Sequence, residues 1–320
     1  MSVLTELLKP LEGEPHVIVV LGKGGVGKTS TSILVANELR SQGRTLLVSF
    51  DPAKHILKYL GLRKPMETVE VAENLSACQL DIEASARKLM SSYSDLMAEM
   101  FPSLTVLNLE DVTKALKYAP GVEEEVFLRW LADTYEDKGY KHVVVDTPPT
   151  GVSLRTLALP RLYLLWLDKL INIRERIVSL RYVIAKTLGK EFEMRDPALK
   201  KLYELKNTYS RVKEVLSNPL RTSYIVVTNP EPLPMFELRE ILNFLENELT
   251  IKPKLLVMNK VLPDEVAASL GTYAEQAETL REFRSIECRS IMIPHASSPP
   301  SSLEDIVKLR DTIVVVRGYA

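Results

Sequence analysis

Cysteine is scarce in this sequence, and long apolar runs are missing from it. The two cysteines among the 320 residues, Cys78 and Cys288, lie far apart and form no C-x-x-C pair. Their positions argue against a disulfide framework and a cysteine-rich metal site, and we do not expect bound zinc. No apolar run approaches the roughly 20 residues that span a bilayer, and the first ten residues lack the apolar core of a signal peptide. These absences predict a cytoplasmic protein.

Neither sign of charge is in excess. Lysine and arginine number 41, and aspartate and glutamate number 42, which gives a formal net charge of −1. This balance leaves no overall electrostatic footprint for nucleic acid, and we expect no nucleic-acid partner. The length allows one large α/β domain or two small ones, and we take the whole chain, residues 1–320, as a single domain.

Strand-like runs that are rich in apolar and β-branched residues alternate with helical patterns along the chain. The runs lie at 17–21, 45–50, 142–145, 223–228, 254–258 and 290–293. Continuous apolar runs of this kind are typical of parallel strands that helices cover on both faces. The sequence therefore predicts an α/β fold with a mostly parallel, doubly wound sheet.

Two long segments, about 82–140 and about 152–220, add little to this sheet and carry amphipathic helical patterns. Apolar residues recur at helical spacing in both: Ala86, Leu89, Met90, Tyr93, Met97, Met100 and Phe101 in the first, and Leu162, Trp166, Leu170, Ile173, Ile177, Leu180 and Ile184 in the second. Core packing explains such stripes, and so does a groove for apolar partners, which flexible methionines suit. Both explanations stay open. The candidate groove residues are Met90, Met97, Met100, Phe101, Leu162 and Trp166.

The most informative stretch is a β-branched run that leads into G-x-x-x-x-G-K-T and then into a helical pattern. Strand, glycine loop and helix in this order are typical of a phosphate-binding loop, in which backbone N–H groups and the helix N-terminus face an anion. We expect Lys28 to reach the β- and γ-phosphates and the Thr29 hydroxyl to bind Mg²⁺. The predicted nucleotide-binding residues are Gly22, Lys23, Gly24, Gly25, Val26, Gly27, Lys28, Thr29 and Ser30.

Candidate carboxylates follow two of the strand-like runs. Asp51 comes after the second run, where a carboxylate can position the water that attacks the γ-phosphate, and where it can equally cap the following helix. Asp146 ends the run at 142–145 and is expected to lie beside Mg²⁺, through a bound water. Gly151 then allows a backbone turn close to the γ-phosphate.

Asn259 follows another strand, in a stretch that resembles the guanine-reading motif N-K-x-D. The fourth position is Leu262, so the carboxylate that would accept hydrogen bonds from guanine is missing at this spacing. Adenine is therefore favoured, because the Asn259 amide can both donate to and accept from the edge of that base. We expect the loop that begins at Pro294 to form a wall beside the base.

Lys23 gives the loop the form G-K-G-G-V-G-K-T, which resembles the ATPases related to MinD, ParA, the nitrogenase iron protein and the arsenite-pump ATPase. The Lys23 side chain lies in a loop whose backbone dipoles are already positive, so its charge is favourable when an anion is close, which supports a role in phosphate binding. The alternative is that Lys23 is a solvated loop lysine. With Asp51-Pro-Ala, Asp146-Thr-Pro-Pro-Thr-Gly, Leu154-Arg155 and Asn259 in register, the chain is similar over nearly its whole length to the arsenite-pump ATPase family. It most resembles the single-domain branch that targets tail-anchored membrane proteins.

The resemblance implies an ATPase that forms a homodimer and closes on Mg²⁺ and ATP. Lys23 would then act on the triphosphate of the partner subunit, Asp51 would activate water, and Lys28 would complete the catalytic set. Closure would join the helical segments of both subunits into an apolar groove for the transmembrane helix of a client protein. Hydrolysis would loosen this groove. The resemblance is also compatible with a membrane receptor as a partner.

One departure from that branch concerns zinc. Its members usually carry a C-x-x-C pair that binds zinc across the dimer, and the corresponding region, 264–288, contains only Cys288. We therefore expect the dimer to depend on nucleotide or on apolar contacts.

Two other functions use the same nucleotide machinery. An arsenite-pump subunit is disfavoured, because such subunits are typically double-length chains with metalloid-binding thiols. A MinD- or ParA-like positioning ATPase would need a basic amphipathic C-terminal helix or a basic DNA-binding surface, whereas the segment 311–320 is typical of a strand.

Overall fold

The computed structural model describes Leu4 and residues 15–100, 121–136, 139–191 and 196–317, with the backbone alone over 92–100. Within these residues the strands are β1 His16–Leu21, β2 Thr45–Ser49, β3 Val69–Ala72, β4 Leu75–Gln79, β5 His142–Asp146, β6 Thr222–Thr228, β7 Leu255–Val261, β8 Ser290–Pro294 and β9 Val314–Arg317. The helices are α1 Lys28–Leu39, α2 His55–Leu60, α3 Ile82–Met100, α4 Val122–Glu136, α5 Thr150–Thr187, α6 Pro197–Leu216, α7 Pro232–Leu249, α8 Asp264–Ser269, α9 Tyr273–Ser285 and α10 Leu303–Lys308. A 3₁₀ turn, Leu309–Thr312, follows α10.

These strands form one sheet in the order β3-β4-β2-β5-β1-β6-β7-β8-β9. Neighbouring strands from β4 to β8 in this order are parallel, and the two edge strands pair antiparallel. Strands β1, β2, β5 and β6 are buried along their whole length, which explains why consecutive apolar residues fill their centres. The prediction of an α/β fold with a mostly parallel sheet is confirmed.

The hairpin formed by β3 and β4 is absent from the predicted strands. Strand β3 is a partly exposed edge strand with the sequence VEVA, and β4 reads LSACQ, so neither has the continuous apolar character of the central strands. Their pairing depends on the neighbouring strand β2, against which β4 lies in parallel register. A local sequence pattern does not report such tertiary contacts, so it does not predict these two strands.

The register of the central strands aligns their carboxyl ends. Asp146 at the end of β5 pairs with Val20 on one side and with Ser49 on the other. The glycine loop follows β1 directly, and β7 ends beyond Asn259 at the same edge. In open α/β sheets the crevice outside the carboxyl ends of the strands is where ligands bind.

The chain divides into two compact units. One contains the sheet and takes the described residues within Met1–Ile82, Thr134–Leu154 and Leu216–Ala320, and the other is helical and takes those within Glu83–Asp133 and Arg155–Val215. The helical unit has its own buried apolar cluster, formed by Ala86, Leu89, Met90, Val122 and Val126. None of the helices in the described ranges combines the length and the apolar character that a bilayer crossing requires.

Candidate nucleotide site

The glycine loop between β1 and α1 is held against two other segments of the sheet unit. A Cβ on Gly22 would fall against the carbonyl oxygen of Val227 in β6, and a Cβ on Gly27 would fall against the side-chain amide of Asn259. Both glycines also have positive φ angles, 151° and 97°. Glycine is required at these two positions because of both the close approach and the backbone conformation.

Lys28 begins α1 and is buried, with its Nζ atom donating to the carbonyl oxygen of Lys23 at 3.0 Å. Burial lowers the pKa of Lys28, and the nearby carboxylates of Asp146, Asp51 and Glu237 oppose this shift. A buried ammonium group that donates to a loop carbonyl lies where a phosphate oxygen can accept from it. The loop and the N-terminus of α1 add their own N–H groups at the same place.

Asp146 is fully buried and is surrounded by hydroxyl groups. Its Oδ2 atom accepts from Thr29 Oγ1 and from Ser49 Oγ, each at 2.9 Å, and Oδ1 accepts from Ser32 Oγ at 3.4 Å. Burial, and to a smaller extent the charge of Asp51, raise its pKa to about 6, although the hydroxyl groups and Lys28 oppose the shift. A carboxylate beside the Thr29 hydroxyl is a set of hard oxygen donors that fits Mg²⁺, which keeps several waters.

Asp51 lies just beyond β2 and is partly exposed. Its Oδ1 atom accepts from the backbone N–H of Ala53 at 2.9 Å, and its own N–H donates to Ser49 Oγ at 3.2 Å. The carboxylate thus caps the turn before α2, and the residue also lines a cavity at this edge of the sheet. The two interpretations of this residue are therefore geometrically compatible.

Asn259 and Lys260 at the end of β7 both donate to carbonyl groups of the glycine loop. Asn259 Nδ2 lies 2.8 Å from the carbonyl oxygen of Val26, and Lys260 Nζ lies 2.7 Å from that of Gly25. Lys260 has a φ of 58°, which is unusual for a residue with a side chain. The Asn259 amide therefore supports the loop, and its predicted contact with adenine remains a prediction.

A cavity of about 360 Å³ opens at this edge of the sheet. Its walls bring together the predicted residues Gly24, Gly25, Gly27, Lys28, Thr29, Ser30, Asp51, Asn259 and Pro294. The other predicted loop residues, Gly22, Lys23 and Val26, lie in the loop but off the cavity wall, and Asp146 lies behind Thr29. Lys23 Nζ is 4.0 Å from Glu237 Oε1 on α7.

Several residues of the site were not predicted, and three of them bond or adjoin predicted residues. Ser49 bonds Asp146, Lys260 bonds the loop, and His295 lines the cavity next to Pro294. Lys260 and His295 are each adjacent to a predicted residue, and Ser49 ends a strand whose neighbour ends in Asp146. The sequence signal that could have identified these three residues is their position at or next to the end of a predicted strand. This position alone does not distinguish site residues from structural ones.

The candidate groove residues divide by exposure. In α5, Leu162 is 47% exposed and Trp166 is 65% exposed, whereas Met90 of α3 is 8% exposed and packs in the cluster of the helical unit. Met90 therefore occupies a core position, because its neighbours Ala86 and Leu89 also face inward. The side chains of Met97 and Met100, and all of Phe101, lie outside the described residues.

Comparison with known proteins gives the same family throughout. A family model described as anion-transporting ATPase matches residues 15–287. The protein named "Putative arsenical pump-driving ATPase 2" of Aquifex aeolicus is 30% identical over 246 residues, which are 76% of this chain and 79% of that protein. The "ATPase ASNA1 homolog" of Entamoeba histolytica is 29% identical over 253 residues, which are 77% of this chain and 76% of that protein.

A third relative is longer than this chain. The "Putative arsenical pump-driving ATPase" of Halobacterium salinarum is 27% identical over 318 residues, which are 95% of this chain and 45% of that protein. The likeness thus extends over almost all of the present sequence. The chain belongs to the anion-transporting (arsenite-pump) ATPase family and is an ATP-hydrolysing enzyme of that type.

Proposed function

We propose that this ATPase acts as a cytoplasmic homodimer that binds the transmembrane helices of tail-anchored membrane proteins and releases them on ATP turnover. The observation that carries the proposal is a stripe of apolar residues on α5 that face solvent. We call these residues the α5 stripe: Leu162, Trp166, Leu170, Ile173, Ile177, Leu180 and Ile184, each more than a third exposed. Single exposed apolar side chains are common on protein surfaces, whereas contiguous exposed apolar patches mark interaction sites.

The length of the α5 stripe fits the proposed client. From Leu162 to Ile184 the helix advances about 33 Å at ~1.5 Å per residue. The hydrocarbon core of a bilayer is about 30 Å thick, so a transmembrane helix is apolar over nearly the same length. A helix of this kind can be covered along its whole apolar length when it lies beside α5. We place the client-binding subdomain in the segments 82–140 and 152–220.

A homodimer is supported by the position of Lys23. This lysine belongs to the phosphate loop but lies off the wall of its own cavity, near Glu237. Two large apolar side chains of the same helix α7, Leu233 and Phe236, are 58% and 53% exposed. A second copy of the chain would cover these side chains and bring its triphosphate within reach of Lys23.

Hydrolysis is proposed to depend on positioned charges. Lys28 would neutralise the β- and γ-phosphates, and Asp51 would hold the attacking water. Mg²⁺ would be held by Thr29 and, through water, by Asp146, and it would supply further neutralisation of phosphate charge. Asn259 and the loop at Pro294 would hold adenine.

The two thiols give no support to a metalloid-responsive pump subunit. Burial raises the pKa of the Cys78 thiol, and burial raises that of Cys288 to about 11. Cys78 lies in β4 and Cys288 shortly precedes β8, and these strands are six positions apart in the sheet order, so the two thiols of one chain cannot bind a metalloid ion together.

The direct test is co-expression with a tail-anchored protein that either keeps or lacks its terminal apolar helix. Capture that requires this helix supports the proposal. The triple variant Trp166→Ser, Ile173→Ser, Leu180→Ser should capture at least about tenfold less client, and its ATPase rate and thermal stability should stay unchanged because these side chains are exposed. The matched control is Lys169→Ser, Arg176→Ser, Arg181→Ser on the same helix. Equal capture by wild type and the apolar triple variant would contradict the proposal.

A further inference from the structure

A second cavity, of about 420 Å³, lies at the opposite ends of the strands from the nucleotide cavity. It is formed by the first residues of β6, by the segment 252–254 before β7, and by the segment 286–289 before β8. Strand β7 has seven residues and therefore separates the two cavities by roughly 20 Å. This cavity thus takes no part in nucleotide binding.

Cations outnumber carboxylates in the wall of this cavity. Lys252, Lys254 and Arg289 line it, and Arg317 is close enough to act on the Cys288 thiol together with Lys252 and Arg289. Two carboxylates, Glu246 and Glu287, also line it. Within the described ranges, neither lysine forms an ion pair, and neither of these glutamates does.

Lys254 is the central cation of this group. Its backbone N–H donates to the carbonyl of Tyr224, which fixes the start of its side chain beside β6. Partial burial lowers the pKa of Lys254, and the like charge of Arg289 lowers it further. Two neighbouring cations in a concave site repel each other, and an anion between them would relieve this repulsion.

The remaining walls are hydroxyl-bearing and apolar. Ser223 lies in the wall, and its Oγ atom is 2.8 Å from Nε2 of the buried His16. When the imidazole donates in this hydrogen bond, the Ser223 hydroxyl can donate its own O–H to a ligand. The apolar side chains in the wall are Leu242, Ile251 and Ile286, with Pro219 and Pro253. Apolar walls with a few convergent polar groups are typical of sites for small organic molecules.

We propose that this cavity binds a small organic anion, whose compact phosphate or carboxylate head is held by Lys254 and Arg289 and whose apolar body lies against Ile251 and Ile286. The volume exceeds what a bare phosphate ion fills, and it lies in the range of ligand pockets. The head group accounts for the paired cations, and the body accounts for the apolar wall. The site is independent of the client-binding proposal, because it lies in the sheet unit and uses none of the same residues.

Equilibrium dialysis of the full chain tests this site, with a saturating non-hydrolysable ATP analogue and Mg²⁺ to occupy the phosphate loop. The probes are phenyl phosphate, benzoate and inorganic phosphate. We expect one saturable site per chain for phenyl phosphate or for benzoate, and the better probe identifies the head group. Inorganic phosphate should bind more weakly than phenyl phosphate, because it lacks the apolar body.

Two variants locate the binding. Lys254→Met should weaken binding of the anionic probes by about tenfold or more, whereas Lys308→Met on α10 should leave it unchanged. Ile286→Ala should weaken phenyl phosphate by roughly threefold and leave inorganic phosphate unaffected. The ATPase rate of all three variants should equal that of the wild type, which shows that they are folded. Absence of saturable binding, or equal affinities in wild type and Lys254→Met, would overturn the proposal.

Discussion

Helices α1 and α5 differ in which side chains they bury and which they expose. Helix α1 buries Lys28, Thr29, Thr31, Ser32, Asn37 and Glu38, whereas α5 exposes the seven large apolar side chains of its stripe. Both arrangements depart from the usual preference for apolar residues inside and charged residues outside. Sites that break such a rule without local compensation are expected to be functional sites.

The two departures differ in what would compensate them. At α1 the buried charges already have partial partners, since Asp146 accepts from Thr29 and Lys28 donates to a loop carbonyl. On α5 the stripe is exposed among the described residues, and the proposed compensation is a client helix. Polar burial at α1 is thus a prepared site, and apolar exposure on α5 is the observation on which the client-binding proposal rests.

The largest expected effect concerns the polar site. Replacing Asp51 by Asn should slow ATP hydrolysis by about 100-fold or more, because the amide cannot accept a proton from the attacking water. Nucleotide affinity should change little, since Asp51 is not part of the phosphate loop. Steady-state hydrolysis and equilibrium nucleotide binding measure the two quantities.

The control for Asp51→Asn is Asp311→Asn, which replaces an exposed carboxylate in the 3₁₀ turn. It should hydrolyse ATP at the wild-type rate. If Asp51→Asn also turns over normally, the carboxylate acts only as a cap for the Ala53 N–H.

The central fold was predictable because its strands have a strong local signal. The run at 17–21 is apolar at every position and that at 142–145 is apolar after His142, and they form two neighbouring buried strands. The contact of Lys260 with Gly25 was not predictable, because it depends on the positive φ of Lys260 and on a separation of 235 residues. Local patterns contain neither quantity.

The orientation of α5 was also beyond the sequence pattern. The spacing of the stripe predicts a helix, but Leu167 and Ile171 supply a second apolar face on the same helix. Periodicity alone does not decide which of two apolar faces is buried. In the structure Leu167 and Ile171 are buried, and the stripe is exposed.

A matched pair of leucines on α5 tests this assignment of faces. Leu167 is 7% exposed and Leu180, a member of the stripe, is 62% exposed. Leu167→Ala should lower the free energy of unfolding by about 2–4 kcal/mol, because it leaves a cavity, and Leu180→Ala by less than about 0.5 kcal/mol. Urea unfolding at neutral pH measures both values. Equal losses would mean that the stripe is packed in a core.

The next effect concerns two buried imidazoles at the amino ends of β1 and β5. Burial lowers the pKa of His16 to about 3 and that of His142 to about 4, from an ordinary value of 6.5. Below pH 6.5 the unfolded chain therefore binds protons that the folded chain does not. Stability should therefore fall as the pH is lowered from 7.5 to 5, by about 2 kcal/mol for each of the two histidines.

The exposed histidines His55 and His295 provide the control for this pH dependence. Replacing His16 and His142 by Gln should reduce the loss of stability between pH 7.5 and pH 5. Replacing His55 and His295 by Gln should leave it as in the wild type. Urea unfolding at the two pH values measures both differences. An identical pH dependence in the two double variants would show that carboxylates alone cause the acid sensitivity.

The smallest expected change in stability has the opposite sign. Because the pKa of Asp146 is raised to about 6 from 3.8, the folded chain binds the extra proton between these values, and ionisation at neutral pH costs stability. Asp146→Asn should abolish ATP hydrolysis and yet stabilise the fold at pH 7.5 by about 1 kcal/mol, since the relieved charge outweighs weakened hydrogen bonds from Thr29 and Ser49.

The contrast for Asp146 is Asp196, whose carboxylate accepts from the Arg174 guanidinium at 3.0 Å. Burial opposes ionisation at Asp196, but hydrogen bonds from Arg174 and from the Leu199 N–H lower its pKa below the ordinary value. Asp196→Asn should therefore destabilise the fold, whereas Asp146→Asn should stabilise it. Opposite signs would identify Asp146 as a charge kept for chemistry at a cost in stability, and the same sign in both variants would show that its charge supports the fold.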